Sequence, residues 1–178
     1  TIKERYFKRV SALTGTKFWI NNVTREEADL AISEGASGCT QNPSYTWKIL
    51  CHPEESGFAN GLIDKIIKET TDNNEVECIL QRMLVKGISD IFMKVWTESA
   101  GEDGYVSIQG DPIHEENPQV IIDEARKNRE LNPNIMIKIP ATEAGLTAME
   151  VLLAENTPIN ATEVMGIDQA LDVCRLYY

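Results

Sequence analysis

Asn134-Ile135-Met136-Ile137-Lys138-Ile139-Pro140, followed by Ala141-Thr142-Glu143-Ala144-Gly145, carries the strongest structural signal in the chain. Five of its first seven residues are apolar and three are isoleucine. That run predicts a strand buried on both faces, as in a parallel sheet. A lysine at its centre conflicts with burial, because desolvation disfavours the ammonium. Burial lowers a lysine's pKa, and a neutral amine inside a barrel attacks a carbonyl to form a Schiff base. Two plainer readings stand beside this one: an edge strand guarded by its lysine, or a lysine paired with a carboxylate.

Upstream of this strand the chain alternates short β-rich runs with helical ones. Residues 2–13 place basic and apolar side chains at helical spacing and predict an N-terminal helix. Residues 17–22 predict a first strand, and Thr24 caps a helix with Glu26 and Glu27 in its first turn, ended by Gly35. A second strand covers 36–40 and is broken by Gln41-Asn42-Pro43-Ser44. A helical region follows in pieces over 45–50, 58–71, 74–86 and 88–97, with Gly87 separating the last two. The third strand is 105–109, and Asn117-Pro118 opens a helix with proline at its first position. After the lysine strand (135–139), Thr142 caps a helix to about residue 154, a fifth strand spans 158–164, and helix resumes from Ile167. Five β-α alternations predict a parallel α/β sheet. Polar residues gather at the strand ends: Asn21, Asn42, Gln109, Lys138, and Asn160 with Thr162. That distribution fits a barrel with its chemistry at the C-terminal ends of the strands. A doubly wound sheet is the competing architecture, but the chain has no GxGxxG or GxxxxGK[ST] pattern.

Bulk properties narrow the function. A chain of 178 residues with 42% hydrophobic and 25% charged residues has an ordinary globular composition, one domain's worth of chain over 1–178. Its net charge of −11 argues against nucleic-acid and anionic-membrane partners, which need a basic face. No apolar run approaches the roughly 20 residues of a membrane span. Cys39, Cys51, Cys78 and Cys174 are widely spread with no CxxC pair, which reads as reduced structural thiols in a cytoplasmic protein and gives no support for a metal site.

The strand-end motifs together resemble the transaldolase family, including its smaller relatives the fructose-6-phosphate aldolases. The matching runs are FWINN (18–22), TQNPS (40–44), YVSIQGDP (105–112), NPNIMIKIPATEAGL (132–146) and INATEVM (159–165). The resemblance implies a (β/α)8 barrel of the TIM type. It implies aldol cleavage and transfer of a dihydroxyacetone unit between sugar phosphates, as in the pentose phosphate pathway, through a lysine Schiff base and without metal or organic cofactor. By the same resemblance Lys138 is the Schiff-base lysine, Asn42 binds substrate, and Asn160 and Thr162 hold substrate hydroxyls and a catalytic water. Independently, Asn160 and Thr162 are two residues apart and share one face of a strand.

Three departures from the family pattern bear on activity. The first-strand aspartate that takes a substrate proton is here Asn21, followed by Asn22. An amide cannot take that proton at neutral pH, and Asn21 is expected only to hold the hydroxyl. The third-strand glutamate of ordinary transaldolases is here Gln109, as in the fructose-6-phosphate aldolases, where it orients water. Only about the first five of eight βα units are recognisable, plus the N-terminal helix, so the phosphate-binding arginine and serine of later strands have no counterpart. Barrels of this kind run about 250 residues, and closure removes open edges. The chain is therefore expected to be a fragment of a longer protein, with a dimerising half-barrel, and hence a homo-oligomer, as the alternative. Asp111 and Glu143 lie near the expected mouth and read as a loop charge and a helix-start charge. Glu163 is expected to face the helices, by alternation from Thr162. Glu98 and His52 have no place at the mouth, and Trp19 and Trp47 read as packing residues. The competing functional class is a non-catalytic homologue that binds a sugar phosphate or a protein partner.

Overall fold

In a computed structural model, residues 5–178 are described. Among these residues eight helices and five strands run in the order α1 (Tyr6–Leu13), β1 (Phe18–Asn21), α2 (Arg25–Glu34), β2 (Ala36–Thr40), α3 (Ser44–Cys51), α4 (Ser56–Ile66), α5 (Asn73–Glu98), β3 (Tyr105–Gln109), α6 (Pro118–Arg129), β4 (Ile135–Pro140), α7 (Glu143–Ala154), β5 (Ile159–Thr162) and α8 (Ile167–Arg175). The expected N-terminal helix is α1, and its first positions, residues 2–4, lie outside the described residues. All four strand pairings are parallel and the spatial order is β1-β2-β3-β4-β5. Unbroken sequential order with helices between strands gives a partial (β/α) barrel of the TIM type and removes the doubly wound alternative, whose strand order reverses.

The two faces of the sheet differ in composition. Val106, Ile108, Ile135, Ile137 and Ile139 alternate along β3 and β4, are essentially inaccessible, and belong to one apolar core with Ile88, Phe92, Met149 and Leu152 of the covering helices. The expectation that β4 is buried on both faces holds for its helix side only. Met136 and Lys138 point to the concave side and are half-buried.

Local sequence sets the ends of these elements. Thr24 forms a reciprocal capping box with Glu27, Asn117 caps α6 ahead of Pro118, and Thr142 caps α7 by accepting from the Gly145 N–H. One expected break is absent: α5 passes through Gly87 without interruption. Asn134, fully buried at the foot of β4, donates to the carbonyls of Ser89 in α5 and Gly104 before β3, tying three elements together. Among the described residues, no helix is long and apolar enough to cross a membrane.

Candidate active site

Strand register builds the site. Gln109 of β3 pairs with Lys138 of β4, and Lys138 pairs with Asn160 of β5. Paired residues of neighbouring parallel strands share a face, so these three side chains form one row on the concave side, strands about 4.8 Å apart. One row toward the strand starts lie Asn21, Thr40, Ser107 and Met136. One row toward the strand ends, Thr162 pairs with Pro140. Five of the six expected site residues, Lys138, Asn21, Gln109, Asn160 and Thr162, therefore face the same concavity.

Polar contacts cross this face. The Ser107 hydroxyl donates to the Thr40 hydroxyl at 2.8 Å, and the Asn160 amide donates to Ser107 at 3.3 Å. Gln109, only 6% exposed, donates through Nε2 to a Glu115 carboxylate oxygen at 3.2 Å. Asn42, the sixth expected residue, stands just beyond β2, where its side-chain oxygen accepts from Asn22 at 2.8 Å and from the Ser44 hydroxyl at 2.6 Å. Its own N–H donates to the Asn22 side chain at 3.1 Å. The two asparagines thus clamp the β1 and β2 strand ends together. Asn22 has a left-handed backbone (φ 48°), which asparagine tolerates better than most residues.

Burial lowers the pKa of Lys138, and the nearby Glu163 carboxylate opposes that shift. Glu163 corrects an expectation. β5 ends at Thr162, and Glu163 turns into the left-handed region (φ 59°), so strand alternation no longer governs it. Its charge is close enough to the concave-face lysine to oppose the effect of burial.

The other candidate carboxylates have local roles. Asp111 is buried; desolvation raises its pKa, but hydrogen bonds from His114 (2.6 Å), the Ile113 N–H (2.8 Å) and Asn74 (2.7 Å) outweigh this and hold it low. It is therefore a loop anchor and not a solvated charge. Glu143 is an exposed group in the first turn of α7. Glu98 sits at the α5 C-terminus, toward the opposite rim, and the His52 ring accepts from the Glu54 N–H. The Trp19 ring packs over Gly38, where a Cβ would lie 2.4 Å from it, but Trp47 is 70% exposed and does not pack as expected. Cys39 and Cys78 are buried thiols pushed up to about 12 by desolvation; Cys51 and Cys174 are exposed and fall outside the structural-thiol reading.

Sequence reasoning did not single out Thr40, Ser107, Asn22 or Glu115. Thr40 and Ser107 were reachable, since Ser107 lies two residues before Gln109 on the same strand face. Glu115 carried no such signal, because a loop places it.

The model of the transaldolase/fructose-6-phosphate aldolase family matches residues 18–176. The chain is similar to transaldolase 1 of Streptomyces avermitilis, with 29% identity over 92% of this chain and 44% of that protein. It is 29% identical to the transaldolase of Thiobacillus denitrificans over 96% of this chain and 48% of that protein. With transaldolase 2 of Nostoc punctiforme the identity is 30%, over 92% of this chain and 44% of the relative. The chain thus spans about half the length of the curated relatives it matches.

Proposed function

This chain belongs to the transaldolase/fructose-6-phosphate aldolase family, and from that premise we propose that it carries Schiff-base aldol chemistry on a ketose phosphate, with Lys138 as nucleophile. The observation that carries the reading is the row Gln109–Lys138–Asn160 on the concave face. A half-desolvated amine stands there between two amide side chains able to hold a polyol without adding charge. The Lys138 amine adds to the ketose carbonyl, and loss of water leaves a protonated imine that acts as an electron sink. When the adjacent carbon–carbon bond breaks, its electron pair moves toward the imine to form an enamine. The departing fragment's hydroxyl gives its proton to water, and the fragment leaves as an aldehyde. The enamine then attacks an acceptor aldehyde, and water frees the product and restores the lysine.

Asn160 and Thr162 position the substrate hydroxyls and water, and Asn42 holds the substrate end nearest β2. Asn21 occupies the concave face at β1, where it accepts or donates a hydrogen bond but takes no proton. A small sugar phosphate is the expected partner, in carbohydrate metabolism.

Aldol cleavage of fructose 6-phosphate by the full chain tests this. Restoring a positioned base with Asn21→Asp is expected to raise the rate by about 10²-fold or more. Adding Lys138→Ala on that background is expected to abolish it. Cleavage that survives Lys138→Ala would remove the lysine from the reaction.

A further inference from the structure

Forming an imine needs proton traffic that amides cannot carry, and the row around Lys138 consists of amides. Gln109 reaches beyond that row to a carboxylate, donating to Glu115 at 3.2 Å. The loop carrying Glu115 is fixed on both sides. Before it, Asp111 accepts from the Ile113 N–H and the His114 ring; after it, the Asn117 N–H donates to the His114 carbonyl and the Asn117 side chain caps α6. Asp111 is itself held from α5 by Asn74. The result is a half-buried Glu115 folded back over the end of β3, lining one crevice with Gln109, Asp111, Lys138 and Pro140 and with Ile121 and Ala125 of α6.

We propose that Glu115 is the proton-transferring carboxylate of the Lys138 site, held in place by Gln109. This rests on the reading of Lys138 as the Schiff-base lysine. Glu115 takes one proton from the Lys138 ammonium, and the freed amine forms a C–N bond to the ketone carbon. A second nitrogen-bound proton passes to the former carbonyl oxygen, making it a hydroxyl. Glu115 then returns its proton to that hydroxyl, the C–O bond breaks, and water leaves a protonated imine. Charge and atoms balance with the ketone and the protein alone. Hydrolysis runs the same steps backward. In this arrangement the proton-carrying role is displaced from strand to loop: Gln109, on the strand, aims the group, and Glu115 exchanges the proton.

The charged groups that line the same crevices as Glu115 are Lys138 from β4, Asp111 and Glu116 from its own loop, and Glu143 from α7 across the adjoining cleft.

The test is a time course of imine formation with dihydroxyacetone, quenched by borohydride at a series of pH values, in the full chain. Glu115→Gln keeps a carbonyl to accept from Gln109, so it removes the exchangeable proton and leaves the hydrogen bond. It is expected to slow imine formation by about 10²-fold or more, with the same adduct yield at long times. A second arm uses Glu115→Ala with added formate, which is expected to restore the rate in proportion to its concentration. A wild-type rate in Glu115→Gln, or no formate response in Glu115→Ala, would overturn the proposal while leaving Lys138 as nucleophile. If wild type itself forms no adduct on Lys138, both readings fall together.

Discussion

Desolvation of the Lys138 ammonium lowers its pKa, and the carboxylate of Glu163 pulls it back toward the ordinary range. Removing that charge with Glu163→Gln therefore lowers the pKa further and raises the share of neutral amine at any pH below it. The pH at which borohydride trapping on Lys138 reaches half its plateau is expected to move down in Glu163→Gln; no movement, or movement upward, would mean that Glu163 does not act on the amine. The same pair marks the limit of sequence reading at single residues. Lys138, Gln109, Asn160 and Thr162 were legible because strand side chains alternate with period two, and pairing in register puts three of them in one row. Glu163 was misplaced because that period was carried one residue too far. A left-handed φ at Glu163 ends the alternation, and nothing in the identity of a glutamate announces such a turn.

The junction between β4 and α7 is where local sequence aims the lysine strand. Gly145 lies in the first turn of α7, its N–H held by Thr142, and a Cβ there would sit 1.9 Å from the Pro140 carbonyl oxygen. Helix propensity alone favours alanine by about 0.5–1 kcal/mol. The clash is with backbone at the end of β4, which cannot step aside cheaply, and overpacking typically costs about 1–3 kcal/mol. Gly145→Ala is thus expected to lower the urea midpoint at unchanged slope, whereas a raised midpoint would show that propensity wins and the junction yields. In α5 the balance runs the other way. Gly87 costs that helix about 1 kcal/mol relative to alanine. Leu84, Val85, Ile88 and Phe92 on either side are buried, each worth about 1.5–3 kcal/mol. Packing overrides the glycine, which is why a break read from sequence at Gly87 becomes one helix from Asn73 to Glu98.

At the scale of the whole molecule, five parallel strands in sequential order make a curved sheet with an apolar, helix-covered outside and a polar inside. That architecture was legible in the regular β-α alternation and in isoleucine-rich strands. The difference between the two faces was less so, because the lysine strand reads as apolar along nearly its whole length. Only the neighbours in register, Gln109 and Asn160, mark its concave side as polar. The loop return that brings Glu115 to Gln109 is likewise a property of the assembled molecule, set by Asn74 of α5, Asp111 and His114 together. Net charge adds a further condition: at −11 overall, an anionic sugar phosphate gains nothing from the mean field and depends on groups at the site. We infer that this assembly makes Lys138 an imine-forming amine. The most direct test is to incubate the full chain with dihydroxyacetone, reduce with borohydride, digest, and map the mass of the reduced three-carbon adduct. The adduct is expected on the peptide carrying Lys138 and is expected to be lost in Lys138→Ala; a folded protein that carries no adduct, or carries it on another lysine, would exclude Lys138 as the nucleophile.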